Sequence, residues 1–356
     1  IFFEVVNVID HYNLKMHFKV FDTCVNILGA FLQDDQRKHP NKDINTKYLA
    51  LDGMAKLSKY TNGNKILKDH STIILQSLRD ADVSIRRRAL DLLFLTCTQE
   101  SVKLICKELL IYLKEDEPQL KEDITLKVAI LSEKYATDYF WYIDVCIKML
   151  ELAGDFVSDD IIYRIVQIVT GFENKEPDPL LQIHACEKVI ALLKKDYAFE
   201  SVVRLAALLL GEYGHLVTKK SEMEKQNNIE NQTDLDFEVI TLTKLAVLLW
   251  KHASVCSAKT IYCILNCMIK FVNNDIKMRD YAIPQFEQYL ESWDPELQQR
   301  AIEYIILSKL DNEMPDIPNM SQLRANLFAP MPVYSQDFFN NSLLMKKLQK
   351  TQTGLY

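Results

Sequence analysis

Two ten-residue strings with a shared pattern stand far apart in this chain, and they restrict its fold more than any other feature. Asp82-Val83-Ser84-Ile85-Arg86-Arg87-Arg88-Ala89-Leu90-Asp91 is matched by Asp294-Pro295-Glu296-Leu297-Gln298-Gln299-Arg300-Ala301-Ile302-Glu303. Each opens on an acid, places an aliphatic residue three positions on, and continues Arg, Ala, aliphatic, acid. Weaker copies surround them: Glu117-Pro118-Gln119-Leu120 leads to Ile124, and Ala50-Leu51-Asp52 precedes Ala89-Leu90-Asp91. The spacing is a degenerate period of about 35–40 residues, the range of stacked helix pairs.

The pattern has a mechanical reading. Asp82 and Asp294 are placed to cap helix N-termini, and Pro295 suits the first helical position, where its missing N–H costs nothing. Ala89 and Ala301 are small where two helices approach closely. Arg88 and Arg300 reach an acidic group in the same or a neighbouring repeat.

Apolar spacing is helical along nearly the whole chain. Ile85, Ala89, Leu92, Leu93 and Thr96 form one stripe, and Ile161, Ile165, Ile168 and Phe172 another. Glycine usage agrees: 8 of 356 residues, about 2% against a usual share of about 7%. Barrels, propellers and nucleotide folds use glycine far more freely. The chain is therefore predicted all-α, a right-handed α-solenoid superhelix of HEAT/armadillo-like helix pairs over residues 1–310.

Three segments interrupt the array. Residues 34–43 and the polar stretch 219–236 are predicted surface loops. Beyond residue 310, Pro315, Pro318, Pro330 and Pro332 exclude a continuous helix. The tail 311–356 is expected to be extended, packed along the array or loose, with a last helix over 340–350. The chain opens on Ile1-Phe2-Phe3-Glu4 in helical text, as an interior repeat would. That predicts a raw end in which Phe2, Phe3, Val6 and Ile9 are exposed.

A net charge of -7 argues against nucleic acid, whose binders usually carry a basic stripe. The eight cysteines sit in apolar helical text with no CxxC pair, so they read as buried free thiols of a reducing compartment. The scattered His and Cys lack zinc-ligand spacing. No phosphate loop, HExxH or GxSxG is present, so no catalytic residue, cofactor or metal is expected. The aromatic cluster around Trp141 and Tyr142 reads as core. Arg86, Arg87 and Arg88 are candidates for a phosphate or lipid headgroup, but consecutive helical residues point in different directions. Lys346, Lys347 and Lys350 form a weak basic cluster.

One string goes further. Leu126-Lys127-Val128-Ala129-Ile130-Leu131-Ser132-Glu133-Lys134-Tyr135-Ala136-Thr137-Asp138-Tyr139-Phe140-Trp141-Tyr142-Ile143-Asp144 resembles the trunk of the alpha-adaptin family. Lys47-Tyr48-Leu49-Ala50-Leu51, Ala153-Gly154-Asp155-Phe156-Val157-Ser158, Leu210-Gly211-Glu212-Tyr213-Gly214 and Glu296-Leu297-Gln298-Gln299-Arg300-Ala301 continue the likeness in order. It covers about residues 1–310 and suits the C-terminal half of the family's trunk. It implies a non-enzymatic scaffold of clathrin-mediated endocytosis. The implied partners are a beta-adaptin trunk, a medium (mu) chain and a small (sigma) chain. The whole complex meets clathrin and phosphoinositide membrane, cytoplasmic and peripheral at coated pits of the plasma membrane. The family's lipid and cargo residues lie N-terminal to the matched part and map to no position here. The alternatives are a large subunit of a sister adaptor or coatomer complex, or a lipid-binding solenoid on a membrane surface.

Overall fold

A computed structural model describes residues 1–12, 18–33, 44–58, 64–115, 118–136, 138–171, 178–230, 239–313, 326–332 and 346. Among them the regular structure is helical, without a strand. The chain divides into two compact units, Ile1–Thr137 and Asp138–Tyr356.

The first unit holds α1 (Phe2–His11), α2 (Phe18–Leu32), α3 (Ile44–Leu57), α4 (Asn64–Ser77), α5 (Val83–Thr96), α6 (Val102–Glu115) and α7 (Pro118–Tyr135). Helices α1, α3, α5 and α7 touch in succession and make one layer. Helices α2, α4 and α6 cover it, each against its sequence neighbour in the pairs α2–α3, α4–α5 and α6–α7. The packing follows from the apolar stripes. On α5, Ile85, Ala89, Leu92, Leu93 and Thr96 are all buried, Ala89 completely. Burying a Leu or Ile side chain contributes about 1.5–3 kcal/mol, whereas the alanine contributes by letting helices close up.

The second unit repeats the plan with α8 (Tyr139–Ala153), α9 (Asp159–Thr170), α10 (Pro179–Leu193), α11 (Glu200–Glu230), α12 (Leu242–Trp250), α13 (Ala258–Asn274), α14 (Arg279–Glu287) and α15 (Pro295–Glu313). Helices α8, α10 and α12 form one layer, and α9, α11, α13 and α15 the other. Gly211 lets the backbones of α11 and α13 approach closely. A Cβ there would lie 3.3 Å from the Cα of Cys267, a tight contact with backbone. Tyr142 is wholly buried in α8, as the aromatic cluster predicts, and Trp141 is half-buried. The eight cysteines are free thiols, six of them buried. Among the described residues no helix is long and apolar enough to cross a membrane.

Two expectations need correction. The polar stretch 219–236 is not a loop over its first part, because α11 continues to Glu230. Lys219, Lys220, Glu222, Glu224, Lys225 and Gln226 are good helix formers, so polarity here marks an exposed helical face rather than a break. Ser221 is buried and its Oγ accepts from the N–H of Ile240 at 2.9 Å. Lys220 bonds to Glu187 of α10 at 2.5 Å. Residues 231–236 lie outside the described residues, as does the insertion 34–43.

The expectation that Phe2, Phe3, Val6 and Ile9 are exposed is not met. Val6 and Ile9 are buried, with Val6 against Gly53 of α3. Phe2 and Phe3 are half-buried around Phe31. The exposed stripe is the opposite face of α1: Ile1, Val5, Val8 and Tyr12. The helix chooses its phase so that the face meeting α3 buries the branched pair.

Residues 311–313 still belong to α15. Most of the tail, including nearly all of 340–350, lies outside the described residues. At Met331 the backbone N–H donates to Glu212 Oε2 at 3.3 Å, which lays that part of the tail against α11.

Candidate functional site

The charged residues singled out by the repeat form a ladder across each unit's stacked helices. Asp82 caps α5, accepting from the N–H groups of Ser84 at 2.7 Å and Ile85 at 3.4 Å. Six residues on, Arg88 leans back onto α3. It donates to the Tyr48 hydroxyl at 3.0 Å and pairs with Asp52 at 3.2 Å. Its guanidinium carbon lies 5.3 Å from the Tyr48 ring centroid, within cation–π range. The ladder continues: Asp91 of α5 pairs with Lys127 of α7 at 2.8 Å, and Arg87 with Asp123 at 3.6 Å. Asp52–Arg88, Arg87–Asp123 and Asp91–Lys127 all span 36 residues. The sequence period is thus the step from one helix of a layer to the next.

The second unit builds the same joint. Asp294 caps α15, accepting from Glu296 at 3.0 Å and Leu297 at 3.3 Å. Arg300 bonds Asn266 of α13 at 2.7 Å and Glu296 at 2.6 Å, and lies 5.1 Å from the Tyr262 centroid. Here the tyrosine hydroxyl donates to the cap itself, Tyr262 to Asp294 at 2.7 Å. That bond and the two backbone N–H donors hold the Asp294 carboxyl below its ordinary range. Ala301 is completely buried behind Arg300.

Sequence reading missed the acceptors. Tyr48 and Asp52 are four residues apart, as are Tyr262 and Asn266, and both pairs precede their arginine by one period. The signal in the sequence is Tyr-x-x-x-Asp/Asn, one period before each arginine. Sequence reading also missed Glu200. The Glu200 carboxylate accepts from the Ser257 hydroxyl, from Thr260 at 2.6 Å, from the Ser257 N–H at 3.3 Å and from Arg204 at 3.2 Å. Arg204 also reaches Asp159 of α9 at 2.7 Å, so this hub joins three helices of one layer.

The geometry also speaks to the arginine cluster. Arg87 and Arg88 face different helices and each is held by carboxylates. They do not converge on one anion. The thiols are unsuited to nucleophilic work: burial pushes Cys97 and Cys256 up to about 11 and Cys267 well above its ordinary value. The arrangement supplies rigid joints between helices and broad outer faces, which suits binding by shape.

Comparison with known proteins agrees with this architecture. The family described as adaptin N terminal region matches residues 1–312. The chain is 32% identical over 356 residues to the AP-2 complex subunit alpha-1 of Arabidopsis thaliana, covering 99% of this chain and 31% of that protein. It is 32% identical over 315 residues to the AP-2 complex subunit alpha-2 of Dictyostelium discoideum, covering 88% of this chain and 29% of that one. An AP-1 complex subunit gamma of Dictyostelium discoideum is 28% identical over 312 residues, 86% of this chain and 32% of that one. The chain thus spans under a third of the length of these relatives. Its stacked helix layers and the match over residues 1–312 show that this chain belongs to the adaptin N-terminal region family.

Proposed function

We propose that this chain is a scaffold segment of an alpha-type adaptin trunk, acting without catalysis in a clathrin adaptor of endocytosis. The observation that carries the reading is the likeness to AP-2 alpha subunits along 99% of the chain, on a fold whose polar groups are used to join helices. The AP-1 gamma likeness is weaker, 28% against 32%, which favours the plasma-membrane branch over a sister complex. Assembly partners on this reading are a beta-adaptin trunk, a medium (mu) chain and a small (sigma) chain. Clathrin and phosphoinositide membrane are met through the whole complex, at the cytoplasmic face of coated pits. Arg86, Arg87 and Arg88 are poor lipid ligands, since the latter two are committed to ion pairs.

Co-purification of this chain with each partner chain separately tests the proposal. Retention of the beta-adaptin trunk, and not of a beta chain from a coatomer, is the expected result. A folded helical chain that retains none of them would overturn it.

A further inference from the structure

The turns that join the two layers of the second unit form one continuous edge. The α8–α9 turn meets the α10–α11 turn where Lys195 pairs with Glu151. Phe199 also packs on Gly154, where a Cβ would fall 2.4 Å from the Phe199 Cβ. The α10–α11 turn meets the α12–α13 turn where Lys251 donates to the Lys195 carbonyl at 3.0 Å. There His252 also bonds the Leu193 carbonyl at 3.0 Å. The α12 and α14 ends meet through Trp250 and Tyr289, ring centroids 6.3 Å apart. Each of the four turns presents one large apolar side chain outward: Phe156, Tyr197, Val255 and Trp293, exposed by 38%, 65%, 71% and 102%.

The last is not a side chain that failed to find a place. The turn before α15 closes when the Asp294 N–H donates to the Ser292 hydroxyl at 3.2 Å. The turn before α5 closes the same way, Asp82 N–H to Asp80 at 3.1 Å. That geometry throws the middle residue into solvent. In the first unit the middle residue is the small Ala81, and in the second it is Trp293. A fully exposed indole offers a large apolar area for burial by a partner, and tryptophan is among the residues enriched at interface hot spots.

The charge on this edge selects the cover. Of the lysines in these turns, Lys195 pairs with Glu151 and Lys251 with Asp196, while Lys194 and Lys259 are exposed and are outnumbered by acids. Glu287, which ends α14, and Glu291, two residues before Trp293, are exposed, as is Asp155 next to Phe156 in sequence. No Lys or Arg occurs from Asp280 to Gln299. A second copy of this edge and an anionic membrane are both repelled by it. Helices packed side by side lie about 8–10 Å apart, and seven residues of an α-helix rise about 10.5 Å. We infer that this edge docks a basic amphipathic helix of a partner protein, with an apolar residue at every seventh position meeting Phe156, Tyr197, Val255 and Trp293 in turn.

The test uses the full chain and a fluorescein-labelled peptide of about 22 residues, long enough to cross four turns. The peptide carries Leu at every seventh position and Lys on both flanks. A second peptide replaces each Lys by Glu. Fluorescence anisotropy is expected to show salt-sensitive binding of the Lys peptide only, with a blue shift of tryptophan emission. Trp293→Ser and Val255→Ser are each expected to weaken it about tenfold or more. Both positions are solvent-facing, so a helical spectrum like that of the unaltered chain is expected. Leu104→Ser, at an exposed position on α6, should change nothing. No binding of the Lys peptide, equal binding of the Glu peptide, or indifference to both edge variants would overturn the inference. So would an equal loss in Leu104→Ser. Trp293-dependent binding to phosphatidylserine vesicles, or Trp293-dependent dimerisation in sedimentation, would assign the edge to those occupants instead and overturn it as well.

Discussion

The Arg88 guanidinium donates to the hydroxyl of Tyr48, 40 residues earlier, at 3.0 Å and lies 5.3 Å from the same ring's centroid. One side chain thus ties two helices of a layer by a hydrogen bond, a cation–π contact and an ion pair to Asp52. Arg300 repeats the tie with Tyr262 and Asn266 in the other unit. Arg88→Leu or Arg300→Leu is expected to cost about 1–2 kcal/mol, discounted for partial exposure. Arginine to lysine should recover less than half, because an ammonium cannot serve ring, hydroxyl and carboxylate together. Urea unfolding measures the cost. A double-mutant cycle of Arg88→Leu with Tyr48→Phe should show coupling of the two sites.

Gly29 and His70 interlock between α2 and α4. A Cβ on Gly29 would fall 2.2 Å from His70 Cε1. Gly29→Ala should therefore destabilise by about 2 kcal/mol, as overpacking does. His70 is buried, and burial lowers its pKa below 6.5 although Asp69 partly opposes this. His215 is lowered too, by burial and by Lys219. The unfolded chain then takes up protons first. Stability should be full above pH 6.5 and decline as pH falls toward the folded-state values. His70→Leu should flatten that decline in thermal scans without abolishing it, since His215 remains.

Glu200 behaves in the carboxylate sense. Burial works to raise its pKa, but bonds from Ser257, Thr260 and Arg204 outweigh this and lower it below 4.5. Its contribution is present above pH 4.5 and is lost as pH falls through the folded value. Glu200→Gln should cost about 1–2 kcal/mol at neutral pH and reduce the acid sensitivity of unfolding. An unchanged acid profile in this variant would refute the role of the hub.

The far part of α11 gives a direct structural test. Amide exchange over 219–226 should be slowed as in a helix, not fast as in a polar loop. Ser221→Ala leaves the Ile240 N–H without its acceptor and should cost about 1 kcal/mol. Glu224→Pro, inside the helix, should release exchange protection downstream of residue 220.

How far the sequence reaches depends on the range of the interaction involved. The stripe on α5 and the caps at Asp82 and Asp294 are local, set by a 3.6-residue period and by hydrogen bonds two and three residues away. They could be read directly. The 35–40-residue period and the adaptin likeness were legible because each helix pair must bury its stripe against a copy of itself. What the chain meets across space was not legible in the same way. The partners of Arg88 and Arg300, the helical state of 219–230, and the phase of α1 depend on which face a neighbour covers. A polar stretch reads as a loop until Ser221 is found buried, and Val6 reads as exposed until α3 lies over it. The sequence by itself determined the all-α repeat and its helix starts. Tertiary structure decided which charges join the helices, and which apolar side chains, Trp293 above all, are left facing water. Burial is a property of neighbours, and helix neighbours are chosen only when the stack forms.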